Sequence, residues 1–154
     1  MVDVQNCPDD RGIPINEVGV SDLRYPIIVL DRKNERQHTV ALLNMSVSLP
    51  HQFKGTHMSR FVEVLNHHHG EVTLRTLPNI LEELRSRLDA ESASMEVRFP
   101  YFLERRAPVS GSAGLMDYDC SFWGEINGHG SDFVLGVLVP VTSLCPCSKE
   151  ISDY

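Results

Sequence analysis

His38-Thr39-Val40-Ala41-Leu42-Leu43-Asn44-Met45-Ser46-Val47-Ser48-Leu49 sets Ala41, Leu43, Met45, Val47 and Leu49 on one side and Asn44, Ser46 and Ser48 on the other. Successive side chains of an extended chain point to opposite faces, so this alternation predicts a long, half-buried strand. Just upstream, Tyr25–Leu30 is a short apolar run, and the polar stretch Asp31-Arg32-Lys33-Asn34-Glu35-Arg36 separates the two. Together they predict a β-hairpin.

Downstream the period changes. Thr56 is the expected N-cap of a helix in which Met58, Phe61, Val62 and Leu65 follow helical spacing, ending near Asn66. A second helix is expected from Thr76, with Pro78 tolerated in its first turn. Leu77, Ile80, Leu81, Leu84 and Leu88 form its apolar stripe, and Glu82, Glu83, Arg85 and Arg87 its wet side. Strand patterns then return at Met95–Leu103, at Asp117–Ile126 and, after the turn Asn127-Gly128-His129-Gly130, at Phe133–Val139. Strands grouped around a helical pair, rather than alternating with helices, predict an α+β domain with an antiparallel sheet. Residues 1–24, with Pro8, Gly12, Pro14 and Gly19 among scattered charges, read as an irregular N-terminal arm, and residues 25–154 as one module.

The 154 residues are 42% hydrophobic and 23% charged, which suits a single globular domain. A net charge of −7 argues against a protein that coats nucleic acid or anionic membrane. No apolar run approaches the roughly 20 residues of a membrane span, and Met1–Asn6 has no secretory pattern. Four cysteines, Cys7, Cys120, Cys145 and Cys147, are too few for a disulfide scaffold, so a reducing cytoplasm is expected.

The densest chemistry lies in Leu144-Cys145-Pro146-Cys147-Ser148-Lys149-Glu150-Ile151-Ser152. Proline pushes the preceding residue towards extended geometry, which places Cys145 at a strand end. A thiol at a helix N-terminus beside Lys149 has a lowered pKa, and the thiolate is the form that attacks or binds metal. Metal ligand, redox pair and inert buried thiols are the three readings of the Cys-Pro-Cys element. His67-His68-His69, followed by Glu71, invites a metal reading, but adjacent residues point in different directions, and a polar run after a helix is the simpler one. Around Thr56-His57-Met58-Ser59-Arg60, a helix start with Lys54 and Arg60 offers donors and charge suited to phosphate oxygens, beside the plainer reading of a solvated helix end.

Asp3-Val4-Gln5-Asn6, Gly55-Thr56-His57-Met58-Ser59-Arg60-Phe61, Phe99-Pro100-Tyr101-Phe102 and the Cys145-Pro146-Cys147 segment, in this order along the whole chain, resemble the type IB GTP cyclohydrolase I family. The resemblance implies a tunnelling fold, an antiparallel sheet with a pair of helices on one face. It also implies side-by-side assembly into a homo-oligomer, taken here as a homotetramer, with active sites at subunit interfaces. The activity implied is a cyclic-amidine hydrolase, converting GTP and water to 7,8-dihydroneopterin triphosphate and formate in the first step of tetrahydrofolate synthesis. A divalent metal is implied, manganese or zinc, with Cys145 as metal ligand and catalytic residue; no role carries over to Cys147. The family motif runs on through a histidine and a later glutamate, both further metal ligands, and an acidic residue that anchors guanine. The chain stops at Tyr154 before all three, so these 154 residues are not expected to form a complete catalyst.

His57 and Arg60, with Lys54, are the residues nominated for the triphosphate. Two rival readings stand beside this one. A tunnelling-fold nitrile reductase of queuosine synthesis would use the cysteine as a covalent nucleophile and consume NADPH. A non-catalytic assembly module would oligomerise without binding metal or GTP.

Overall fold

The computed structural model describes residues 13–51, 55–141, 143 and 145–151. Five strands and three helices follow in the order β1 (Ile15–Asp31), β2 (Glu35–Leu49), α1 (Ser59–His67), α2 (Leu77–Arg87), β3 (Ala93–Arg106), β4 (Ala113–Asn127), β5 (Gly130–Leu138) and α3 (Pro146–Glu150). The strands form one sheet in chain order, each antiparallel to its neighbour. Such meander pairing needs no crossover, and the two main helices are free to pack together on one face. This is the α+β tunnelling fold expected from the sequence.

The alternation of β2 is realised as read: Ala41, Leu43, Met45, Val47 and Leu49 are buried, and Asn44, Ser46 and Ser48 are not. Ala41, Leu43, Met45 and Val47 join one core with Ile27 and Val29 of β1, Ala93, Met95, Val97 and Phe99 of β3, and Phe122 of β4. The helices close this layer with Phe61, Val64 and Leu65 from α1 and Leu77, Ile80, Leu81 and Leu84 from α2, all inaccessible to solvent. Each such side chain contributes about 1.5–3 kcal/mol by leaving water. Gly124 on β4 admits α2: a Cβ there would lie 2.9 Å from Phe133 Cδ1 and 3.0 Å from both Leu77 Cδ2 and Leu81 Cδ1.

β1 corrects the reading of residues 1–24 as an irregular arm. Residues 1–12 lie outside the described residues, but the strand begins at Ile15. Its register shifts between Ile15 and Val18 and again between Val20 and Leu23, so strict alternation is broken where it would have been looked for. The helix expected from Thr56 also starts later. Arg60 N–H bonds to the His57 carbonyl at 3.1 Å, a turn precedes α1, and Met58 is the N-cap, with no side-chain cap bond. The α1–α2 connection returns to the sheet, where Ile28 N–H bonds to Gly70 O at 2.8 Å and Val72 N–H to Ile28 O at 3.1 Å, covering part of the β1 edge.

Backbone pairing between β2 and β3 runs from Val47–Ala93 to Leu42–Arg98. Beyond it lies Pro100, which has no N–H to give. Side chains continue the connection. Thr39 Oγ1 donates to Pro100 O at 2.9 Å, Gln37 Nε2 donates to Phe102 O at 2.9 Å, and Phe102 N–H donates to Gln37 Oε1 at 2.8 Å. The Gln37 amide thus stands in for a strand residue.

Candidate active site

Cys145 follows a connection from β5, which ends at Leu138, so it does not sit at the strand end expected of it. It is the N-cap of α3, with φ −68° and ψ 150°, the extended geometry that the following proline imposes. Pro146 opens the helix, where its missing N–H costs nothing. This fold-back presents Ser148 to the sulfur: the Ser148 amide donates to Cys145 Sγ at 3.2 Å, and Ser148 Oγ lies 2.9 Å from it.

These contacts favour a negative sulfur. The Ser148 hydroxyl, then its amide, lower the Cys145 thiol pKa; slight burial opposes them, and the amide and side chain of Cys147 add to the lowering. Lys149, credited with part of the effect from sequence, instead donates its amide to the Cys145 carbonyl at 3.1 Å. Cys145 and Cys147 are both exposed, so the reading as inert buried thiols does not hold. Cys120 on β4 is the contrasting case, its thiol pushed up by burial and then by Asp119.

His57 and Arg60 line a cavity of about 190 Å³ with Leu49, Gly55, Thr56, Leu88 and Asp89. It lies where the end of β2, the approach to α1 and the end of α2 meet. Arg60 Nη1 donates to Arg87 O at 2.6 Å, so this guanidinium also caps the C-terminus of α2. Lys54 lies outside the described residues, as do the Asp3–Asn6 motif and Cys7. The structure brings His57 and Arg60 together, and the residues lining their cavity do not include Cys145.

Among the described residues, one group of His, Cys, Asp and Glu side chains is close enough to share a cation: His67, His68 and Glu83, whose ligand atoms all lie within 4.8 Å of one another. Sequence reading passed over it because Glu83 sits on a different helix, in what looked like an ordinary solvated face. His69, third of the run, has φ 52° and leaves the group. No helix among the described residues is long and apolar enough to cross a membrane.

The sequence model of the type I GTP cyclohydrolase folE2 family matches residues 1–154. Among curated relatives, GTP cyclohydrolase FolE2 of Pelobacter propionicus is 57% identical over 154 residues, which cover 100% of this chain and 60% of that protein. The protein of the same name from Syntrophus aciditrophicus is 57% identical over 152 residues, 99% of this chain and 60% of its own length. That of Geobacter metallireducens is 56% identical over 154 residues, 100% of this chain and 59% of its own length. The chain therefore spans about 60% of the length of these relatives. Matched from end to end by the family's sequence model, and more than half identical to these relatives along its whole length, the chain belongs to the type I GTP cyclohydrolase FolE2 family.

Proposed function

We propose that the protein of which this chain forms a part hydrolyses GTP to 7,8-dihydroneopterin triphosphate and formate, the first step of tetrahydrofolate synthesis. The observation that carries the reading is Cys145, exposed and held towards its thiolate by two contacts from Ser148, in a chain that matches this family throughout. The relatives are named GTP cyclohydrolase, and GTP is accordingly the substrate proposed.

Cys145 fits a divalent metal as one ligand, since the donor that metals take is the thiolate its surroundings favour. A soft sulfur ligand suits zinc, and manganese remains the alternative named from the resemblance. When bound, such a metal supplies acidified water for attack at C8 of guanine. One thiolate does not complete a four-ligand site, so the remaining ligands are assigned to the part of the family's length that this chain does not span. Ser148 keeps the sulfur oriented by donating to it. His57 and Arg60 are assigned to the triphosphate because they place an imidazole and a guanidinium on one cavity. The finer placement in the IB subtype, a cytoplasmic location and a homotetramer with interfacial sites belong to the same proposal. The assembly finds support in β5, whose Val134, Leu135, Val137 and Leu138 are all exposed.

The test is formate release from GTP by the protein at the full family length, with and without manganese or zinc, beside Cys145→Ala. Metal-dependent release that disappears in the variant is the expected result. A folded protein that releases no formate with either metal, or a Cys145→Ala variant as active as its parent, overturns the reading. NADPH consumption in the same preparation would turn it towards the nitrile reductase.

A further inference from the structure

The geometry points to a binding site for a divalent cation of the zinc type between α1 and α2, with His67 Nδ1, His68 Nε2 and a Glu83 carboxylate oxygen as ligands and water in the fourth position. Neighbouring residues within a helix diverge by about 100° and do not share a ligand. Here the helix stops between them. His67 is the last residue of α1, and His68 is its C-cap, with φ −83° and ψ 7°. The two rings meet edge to face, 5.5 Å between centroids and 67° between planes. Both turn to Glu83 on α2, at 3.0 Å from His67 Nδ1 and 2.8 Å from His68 Nε2 to Oε2.

The size is right. Zinc bonds of about 2.0–2.1 Å to nitrogen and oxygen in a tetrahedron set ligand atoms about 3.3 Å apart. The ligand atoms already lie within a few tenths of an ångström of that spacing along the two His–Glu83 edges. The Glu83 and His68 side chains are 18% and 19% exposed, whereas that of His67 is 65% exposed. Two ligands are thus held, and the third can adjust as an ion enters from solvent.

Arg87 does not block the site. Its Nη2 lies 2.6 Å from Glu83 Oε1, an oxygen that is also 3.0 Å from His67 Nδ1, and so steadies the carboxylate whose Oε2 reaches both imidazoles, as supporting residues around metals do. Its charge is offset by Glu63, 3.9 Å from Nη1. What faces the ion is then one carboxylate and two neutral imidazoles. Without metal, ring N–H groups donate to Glu83. With metal, the ion takes the place of those protons, and each ring carries its N–H on the other nitrogen. Imidazole nitrogens with one carboxylate select zinc, cobalt or nickel over magnesium or calcium. The site draws on no cysteine, so it stands apart from the cyclohydrolase reading.

Cobalt titration of the metal-free chain tests it, because cobalt–thiolate charge transfer marks any ion held by cysteine. One equivalent that lacks this absorption is expected. It should persist in Cys145→Ser and weaken by about tenfold or more in His68→Ala and in Glu83→Gln. His67→Ala, at the exposed position, provides a variant whose folding is not at stake, and it should weaken the same equivalent. Cobalt should also raise the Tm of the parent and not of Glu83→Gln. Binding only with thiolate absorption, or cobalt affinity unchanged in folded Glu83→Gln and His67→Ala, overturns the site.

Discussion

The guanidinium of Arg60, in the first turn of α1, donates to the carbonyl of Arg87, the last residue of α2, at 2.6 Å. One residue therefore joins two helix ends while facing the cavity it shares with His57. Arg60→Ala is expected to cost about 1 kcal/mol in urea denaturation, the low end for a charge-assisted bond at an exposed position. In the full-length protein, the triphosphate role proposed for Arg60 also predicts a KM for GTP raised roughly tenfold with kcat nearly held, the pattern of lost substrate binding. An unchanged KM beside the stability loss would leave Arg60 as a structural cap only.

Ser148→Ala tests how the Cys145 sulfur is held. It removes the hydroxyl and keeps the amide donor, so the thiol pKa should move up towards the ordinary cysteine range. The measurement is the alkylation rate of Cys145 against pH, followed by peptide mapping. Its midpoint should be higher in the variant, with slower alkylation at neutral pH. A midpoint that stays put would show that the hydroxyl contact does not act on the sulfur.

Packing of α2 on the sheet gives a coupled pair. Leu81→Ala leaves a cavity in a site with no solvent access and should cost about 2–5 kcal/mol. Gly124→Ala adds a methyl against Leu81 and Phe133 and should cost about 1–3 kcal/mol. In the double variant the added methyl moves into vacated space, so its loss of stability should be smaller than the sum of the two. Additive losses would mean that α2 shifts as a body instead.

Asp31, at the end of β1, organises the turn into β2. Its Oδ1 accepts the Asn34 and Lys33 amides at 2.6 and 2.7 Å, and its Oδ2 accepts the Tyr101 hydroxyl at 3.0 Å. The Asn34 amide lowers its pKa most, burial opposes, and Tyr101, Lys33 and Gln37 lower it further. A carboxyl whose folded pKa is depressed stabilises the fold above its unfolded pKa, and that contribution fades as pH falls through the folded value. Stability should therefore drop below pH ~4, the ordinary carboxylate range, and Asp31→Asn should flatten this part of the profile. Equal acid slopes in parent and variant would remove Asp31 from the account.

Much of this was legible because it is local. β2 announces itself by alternation, α2 by the stripe Leu77, Ile80, Leu81 and Leu84, and the β4–β5 turn by Asn127-Gly128. The extended backbone of Cys145 could be read from its proline, but its place could not: the reading put it at a strand end, and it is the N-cap of α3. The first ten residues of β1 were not legible, because two register shifts break the period and most of their side chains face solvent. The start of α1 was misplaced because Thr56 looks like a cap, whereas it is largely buried in the cavity wall beside His57. The convergence of Glu83 on His67 and His68 depends on how two helices dock, across sixteen and fifteen residues of sequence. No window along the chain contains that information.

Where β3 passes Pro100, the sheet is joined by the Thr39 side chain and, at Phe102, by that of Gln37 rather than by backbone pairing. Ladder bonds elsewhere survive nearly any substitution, since every residue but proline carries the same donor and acceptor. Here two bonds hang on one codon. Replacing Gln37 by alanine would unlatch β2 from β3 at this level without touching the main chain of either. Amide exchange at Phe102 would quicken while that of the paired residues from Ala93 to Arg98 kept its pace. Whether these strands are latched at Phe102 is thus a heritable setting in this protein, decided by a side chain.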